Sequence, residues 1–218
     1  MKITIQSETM RALLAVAAKQ DIRYYLNGIC VDARDNGDVV LVATNGHILL
    51  AVPVAADDVA DLVPGQYIIP RDTAEAVKPA KAGRTTLPLQ LDITVPAPTP
   101  DPAMPDVPVK RPPTFTLAGA TTAGAAVMDG QYPDWRRVMP AKASGQAAQF
   151  QPDYVAVFGT VAKLLGSGIP VIHHNGNAGA LVTGLGAALG VIMPMRTDAA
   201  DHPGLPAWAK REDAAAGK

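Results

Sequence analysis

The feature that most constrains the fold is an order of predicted elements that occurs three times along the 218-residue chain. Each occurrence, called a unit below, has a strand, a helix and then further strands. Unit 1 spans Lys2 to Val54, unit 2 spans Gly65 to Gly130, and unit 3 covers residues 146–196. The units share no obvious letter-by-letter identity, so we infer a structural repeat with diverged sequences.

Unit 1 shows the pattern most clearly. The stretch "KITI" predicts a strand, and Ser7 then suits a helix N-cap, where its hydroxyl would accept a backbone N–H bond. Met10, Leu13, Leu14 and Ala17 follow at helical spacing and predict one buried face. The segments "RYYLNGICVDA" and "DVVLVATNGHILLAVPV" favour strands, and Asn36-Gly37 between them predicts a hairpin turn.

Unit 2 begins with the predicted strand "YII". Pro70 suits the first turn of a helix that runs to Lys78, where Pro79 should end it. The segments "LPLQLDITV" and "FTLAGATTAGAAVMDG" predict the later strands. Between them, residues 96–113 are rich in proline, which cannot donate ladder bonds, so we expect an exposed insertion that joins two strands.

Unit 3 begins with a strand predicted at "AAQFQ", followed by a turn and a helix. Three short strands are then predicted at "IPVIHHNG", "GALVTGLG" and "LGVIMPMR", separated by glycine turns. Residues 197–218 are small, polar and proline-bearing, which is typical of a mobile tail. The buried helix face in this unit is predicted to consist of Tyr154, Val157, Phe158, Val161 and Leu164.

Composition excludes some classes of protein. With 19 basic and 20 acidic residues there is no global basic field, so any contact with nucleic acid needs a local patch. The single Cys30 cannot form an internal disulfide. The start "MKITIQSETM" lacks the apolar run of a signal peptide or membrane span, so we expect a cytoplasmic protein without membrane contact.

Residues that could support chemistry lack the surroundings that chemistry needs. His173 and His174 are neighbours on a predicted strand and point to opposite faces, which disfavours one shared metal ion. Cys30 lies in an apolar strand, where an inert buried thiol is expected. The run "GLGAALG" from Gly184 departs from a dinucleotide fingerprint, and hairpin turns explain it better. We therefore predict no catalytic residue, metal or cofactor.

Four segments occur in an order that resembles the bacterial DNA polymerase III β subunit, the replicative sliding clamp. They are "DIRYYLNGICVD", "LVATNGHILLAV", "DGQYPDWRRVMP" and the late "VIMPMR". The resemblance spans most of Met1 to Arg196 and is dense at these four places. It implies an α+β protein with the DNA-clamp fold, in which helices line a DNA-encircling hole and sheets form the rim.

The resemblance also implies a domain organisation. Residues 1–140 match the family's middle domain, made of two units, and carry the insertion 96–113. Residues 146–196 match the second half of the family's last domain, and residues 197–218 form the tail. Family members have three domains of two units each, so this chain is a shortened form, which suggests a phage or mobile-element origin.

A missing half-domain leaves sheet edge and apolar helix surface exposed, which is costly. We therefore expect a homo-oligomer. Four chains would supply the twelve units of a family ring, and a dimer that shares one composite domain fits the count equally well.

In the family, the matching segments converge on an apolar cleft that holds short peptides from polymerases, clamp loaders and repair proteins. Methionine and branched side chains suit such an adaptable trough, and a rim arginine or histidine orients polar atoms of the peptide. The family has an arginine where this chain has Ile48. Carried over by position, the cleft residues are Leu26, Thr44, Gly46, His47, Leu49, Pro133, Arg137, Val138, Val191, Ile192, Met193, Pro194, Met195 and Arg196.

The resemblance further implies weak, sequence-independent contact with double-stranded DNA through basic residues on the helices. Two functions remain open. The first is a non-enzymatic clamp-like processivity factor that tethers partners to DNA. The alternative is a clamp decoy or regulatory peptide-binding module that forms no ring. The candidate DNA-facing residues are Arg11, Lys19, Arg71, Lys78, Lys81 and Lys163.

Overall fold

The computed structural model describes residues 1–100, 108–109, 111–196, 206 and 209. Most of the predicted tail over 197–218, and the middle of the insertion 96–113, lie outside the described residues. The helices are α1 Ser7–Val16, α2 Arg71–Ala76 and α3 Pro152–Leu164, with 3₁₀ turns at Tyr24–Leu26, Ala56–Asp58 and Trp135–Val138. None of the helices within the described part is long and apolar enough to cross a membrane.

The strands supply most of the regular structure. They are β1 Lys2–Ile5, β2 Gly28–Ala33, β3 Val39–Thr44, β4 Ile48–Pro53, β5 Val59–Ala60, β6 Gly65–Pro70, β7 Lys81–Ala82, β8 Thr85–Thr86, β9 Leu89–Thr94, β10 Thr99–Pro100, β11 Pro108–Val109, β12 Thr114–Ala118, β13 Thr122–Ala126, β14 Val171–His173, β15 Ala180–Leu185 and β16 Ala188–Ile192.

Two large antiparallel sheets organise these strands. A seven-stranded sheet has the order β14-β15-β16-β4-β3-β2-β6, and a five-stranded sheet has the order β13-β12-β9-β1-β5. The pairs β7-β8 and β10-β11 form small separate ribbons. The second ribbon joins Thr99–Pro100 to Pro108–Val109, so part of the proline-rich insertion pairs with itself. The α+β fold class predicted from the repeated units is confirmed.

The three units are present, and two of them interlock. The leading strand β1 of unit 1 pairs with β9 of unit 2, and the leading strand β6 of unit 2 pairs with β2 of unit 1. Unit 3 joins the same sheet through β16, which pairs with β4. The strand predicted at "AAQFQ" is reduced to one bridge between Gln149 and Met195, and among the described residues no strand lies along its other side.

The seven-stranded sheet is buried on both faces, and successive side chains along each strand point to opposite faces. On the inner face, Val31, Leu41 and Leu50 belong to the main core with the helices. On the outer face, Cys30, Val42, Leu49 and Val191 form a second cluster, the outer core, together with Tyr132 and Trp135. Since strand side chains alternate with a period of two, a shift of one residue would exchange the two cores.

Two local predictions are wrong, and tertiary contacts explain both. Ser7 is the first residue of α1 and makes no capping bond, because its hydroxyl donates instead to the Leu87 carbonyl at 2.6 Å. Helix α2 ends at Ala76 and does not reach Lys78. The Lys78 N–H donates to the Thr121 hydroxyl at 2.8 Å, and the Lys78 carbonyl accepts from Ala120, so this segment pairs with a turn.

Arg71, which was predicted to face DNA, is instead buried and faces the protein interior. Its Nη1 donates to the carbonyls of Leu14 at 2.7 Å and Ala17 at 2.9 Å, at the C-terminal end of α1. Its Nη2 lies 2.6 Å from Glu75. The guanidinium satisfies carbonyls that the end of the helix leaves without intrahelical partners. Arg71 therefore does not belong to the candidate DNA-facing set.

We expect Arg71→Met to lower the free energy of unfolding by about 2 kcal/mol, because helix carbonyls would lose a charged donor. Urea denaturation followed by circular dichroism measures the change. Arg84→Met is the matched control, since Arg84 is exposed in the turn between β7 and β8. Equal midpoints for the two variants would contradict the structural role of Arg71.

Candidate functional site

A groove lies on the outer face of the seven-stranded sheet, where β4 of unit 1 meets β16 of unit 3. Its volume is about 230 Å³. Most of its lining is apolar, with one guanidinium, one imidazole and one carboxylate among the side chains. The lining residues are Arg23, Leu26, Thr44, Gly46, His47, Ile48, Leu49, Pro133, Asp134, Trp135, Val138, Val191 and Met193.

The segment 129–140, with the sequence "DGQYPDWRRVMP", forms one wall of this groove. Its large side chains point down into the outer core, where Tyr132 and Trp135 are buried. Burial raises the pKa of the Tyr132 phenol, whose hydroxyl lies 3.5 Å from the Val42 carbonyl. With these side chains anchored, Pro133 and Val138 remain exposed at the groove.

A buried carboxylate holds this wall in place. Asp32, on the outer face of β2, accepts a bond from the Trp135 indole N–H at 2.9 Å. The same carboxylate forms an ion pair with Arg136. The Arg136 guanidinium also stacks 4.0 Å from the centre of the Trp135 ring. One acidic side chain in the sheet thus determines the position of two consecutive residues of the wall.

Arg23 lies at the groove and is oriented by Asp21. The guanidinium Nε and Nη2 donate to the two carboxylate oxygens at 3.0 and 2.8 Å, a bidentate arrangement. These bonds lower the pKa of Asp21 to about 2. Gly46 leaves room for the guanidinium, because a Cβ there would lie 2.7 Å from Arg23 Nη2. Its φ of +87° also favours glycine.

The turn between β3 and β4 closes the groove and links units 1 and 3. The Asn45 side-chain oxygen accepts from the His47 and Ile48 N–H groups, each at 2.9 Å. The His47 carbonyl accepts from the Met193 N–H at 2.8 Å, and the His47 ring stacks on Tyr154 of α3 with centroids 5.4 Å apart. The groove is therefore assembled from segments distant in sequence.

Most of the predicted cleft residues lie together. Nine of them line the groove: Leu26, Thr44, Gly46, His47, Leu49, Pro133, Val138, Val191 and Met193. Ile192 does not, because it alternates with Val191 on β16 and is fully buried in the main core. Arg137, Pro194, Met195 and Arg196 do not line the groove. Met195 instead donates its N–H to Gln149 at 2.8 Å.

Four groove residues were missed by the sequence reasoning. Arg23 and Trp135 occur inside the quoted motifs, and Asp134 and Ile48 adjoin predicted cleft positions. Arg23 could have been found from the spacing of Asp21 and Arg23 around a turn, which favours an ion pair. The hydrogen bond that anchors Trp135 could not have been found, because its acceptor Asp32 is remote in sequence.

The other candidate chemical groups, Cys30, His173 and His174, are either buried or hydrogen-bonded within the protein. Burial raises the pKa of the Cys30 thiol far above its usual range, which agrees with the predicted inert thiol. His173 Nε2 lies 2.8 Å from the Thr183 hydroxyl, and His174 Nδ1 accepts from the Ala148 N–H at 3.0 Å. Across the part of the chain that the structure describes, no group of three or more His, Cys, Asp or Glu residues could hold a metal.

The remaining DNA-facing candidates are exposed but do not all lie on helices. Arg11 is on α1 and Lys163 is on α3, and these two helices pack against each other. Lys19 follows α1. Lys78 and Lys81 lie beyond the end of α2, with Lys81 in β7.

Comparison with known proteins supports the resemblance over part of the chain. No family model matches. The chain is 34% identical to a beta sliding clamp of Caulobacter vibrioides over 125 residues, which is 56% of this chain and 28% of that protein. It is 30% identical to the beta sliding clamp of Proteus mirabilis over 148 residues, or 64% of this chain and 34% of that protein. The chain thus spans about a third of these relatives.

Solved structures resemble nearly all of the chain. The Helicobacter pylori beta clamp bound to a DNA ligase peptide has a TM-score of 0.61 at 10% identity, covering 89% of this chain and 65% of that chain. A Pseudomonas aeruginosa DNA polymerase sliding clamp has a TM-score of 0.59 at 16% identity, covering 90% and 66%. The fold is that of the bacterial sliding clamps. In this chain the groove lies where β4, the last strand of unit 1, pairs with β16, the last strand of unit 3.

We expect Asp32→Ala to lower the free energy of unfolding by about 2 kcal/mol, because the Trp135 N–H and the partly buried Arg136 would lose their shared acceptor. Chemical denaturation measures this loss. Asp35→Ala, at an exposed position three residues away, serves as the control and should stay near wild type. A change at Asp32 no larger than at Asp35 would show that the wall does not depend on this carboxylate.

Proposed function

We propose that this protein is a non-enzymatic, shortened sliding-clamp homologue that holds peptide motifs of DNA polymerases and clamp loaders in its groove. The observation that supports this most directly is the convergence of nine cleft positions from four separated motifs on one apolar groove. Met193 and Val138 are apolar but exposed at the groove, so packing of the hydrophobic core does not explain their positions.

The groove has the chemistry expected of a short-peptide site. Its floor is apolar and buried, with Leu26, Leu49 and Val191 in the outer core. Its edge carries Arg23, whose guanidinium is exposed and already oriented by Asp21. An apolar floor binds aliphatic or aromatic side chains of a peptide, and a fixed cation orients its carbonyl or carboxylate groups. Ile48 packs into the main core and offers no polar group.

Met193→Asp tests the groove directly. We expect binding of a fluorescent DNA ligase peptide, of the kind bound by the Helicobacter pylori clamp, to weaken by about tenfold or more, because a charge would be desolvated against apolar residues. Fluorescence anisotropy measures the affinity. Leu189→Asp, an exposed apolar position on β16 outside the groove, should bind as wild type does.

A small ligand provides an independent probe of the same groove. Griselimycin is bound by a sliding clamp of Pseudomonas aeruginosa that shares this fold with a TM-score of 0.54. Competition between griselimycin and the labelled peptide for the wild-type chain would place both in one site. Unchanged peptide binding by Met193→Asp would overturn the proposed groove function.

We further propose that the helices contact double-stranded DNA without sequence preference. Arg11 and Lys163 are exposed on two neighbouring helices on the side of the sheet opposite the groove, where a peptide would not compete. Phosphate contacts of this kind are electrostatic and salt-dependent. A closed ring would retain DNA even if each contact were weak.

Arg11→Glu combined with Lys163→Glu should weaken binding to a short DNA duplex at low salt. If both residues contact phosphates, the slope of log affinity against log salt concentration should fall by about 2. Arg84→Glu, on the turn between β7 and β8, is the control for a charge reversal away from the helices. A salt slope that stays at the wild-type value in the double variant would exclude these helices as the DNA surface. Absence of duplex binding by the wild-type chain would favour a peptide-binding module without DNA contact.

A further inference from the structure

Units 1 and 2 show how a complete pair of units is built. Each leading strand lies between two neighbours. On one side is the second strand of the other unit, as β1 lies beside β9 and β6 beside β2. On the other side is a segment that follows the last strand of its own unit. After unit 1 this segment is β5, which lies beside β1, and in unit 2 it is Met128, which lies beside Ile68 of β6.

Unit 3 has formed only the second of these two contacts. The Met195 N–H donates to the Gln149 carbonyl at 2.8 Å, as the Met128 N–H donates to the Ile68 carbonyl at 2.9 Å in unit 2. Gln149 precedes the first residue of α3 by the same interval that separates Ile68 from the first residue of α2. The segment 147–150, the leading segment of unit 3, is thus held beside its own unit, as a leading strand is. Among the described residues no strand lies along its other side, where the Ala148 N–H donates to the His174 ring at 3.0 Å.

The second strand of unit 3 is open in the complementary way. β14 is the terminal strand of the seven-stranded sheet. It corresponds in unit 3 to β2 in unit 1, but β2 is covered by β6 and β14 has no such neighbour in the described strand order. Residues 145 and 146 bond to His174 and Gly176, beyond the end of β14. Beside this open edge Ile169 is 85% exposed and Val171 is 49% exposed. Natural edge strands are usually blocked by charges or proline, and β14 itself contains neither.

We propose that unit 3 is completed by unit 3 of a second copy of this chain. The leading segment of each copy pairs antiparallel with β14 of the other, around a two-fold axis. This reproduces the exchange of β1 and β6 between units 1 and 2. A second copy is the occupant because a single unit 3 carries both open edges, and a two-fold contact satisfies both at once. The inference rests on strand pairing and is independent of the groove.

Two chains joined in this way contain three complete pairs of units. Each chain contributes one pair from units 1 and 2, and the shared pair lies between them. β13 of each chain is still unpaired on its outer side, so the dimer retains free sheet edges at both ends.

The double variant Ile169→Asp with Val171→Asp tests the interface. Light scattering across a wide concentration range should give wild-type protein a mass of two chains. The double variant should fall to the single-chain mass of 22.6 kDa, because the charges would be buried against the second copy. Ile22→Asp is the matched control, since Ile22 is 99% exposed on a different loop, and it should associate as wild type does.

Hydrogen exchange on wild-type protein tests the same pairing without any substitution. Peptides covering 147–150 and 171–173 should gain protection as concentration rises, and a peptide covering β13 should not. A wild-type mass of one chain throughout, association of the double variant equal to wild type, or protection confined to β13 would each overturn the proposal. Ligase-peptide affinity of the double variant should equal that of wild type, which separates this test from that of the groove.

Discussion

The pairing of β16 with β4 is the interaction on which the rest of the molecule depends. It joins unit 3 to units 1 and 2 in one continuous sheet, and it sets which side chains face each core. It also brings Val191 beside Leu49, so that the groove floor consists of residues from two units. Because strand side chains alternate, the register of this pair determines the groove lining.

Burial on both faces of the seven-stranded sheet explains why a protein of this size can maintain an open groove. The main core lies under the helices, and the outer core is sealed by Tyr132 and Trp135 from the segment 129–140. Asp32 joins that segment to the sheet through Trp135 and Arg136. The wall is therefore anchored by buried contacts, and the exposed groove side chains do not carry its stability.

The strand exchange between units 1 and 2 connects the repeat to assembly. A leading strand always completes the sheet of a different unit, so one unit alone cannot pair all of its strands. In this chain unit 3 follows directly after a complete pair, and among the described residues β14 and the segment 147–150 each have one side without a neighbouring strand. The groove lies on the outer face of the sheet between units 1 and 3, and the open β14 edge lies at one end of the same sheet. Peptide binding and self-association are therefore physically separable.

Sequence by itself determined the three units, the buried faces of α1 and α3, and the motifs that converge on the groove. The units and the helix faces follow from local periodicity and from residues that suit strands or turns, and the groove motifs were assigned by their resemblance to the sliding clamps. Only the tertiary structure decided that Arg71 is buried against α1 while Arg11 is exposed, and that Ser7 donates to Leu87 instead of capping its helix. It also decided that Val191 faces the groove and Ile192 the core. These outcomes depend on partners distant in sequence, which local patterns do not specify.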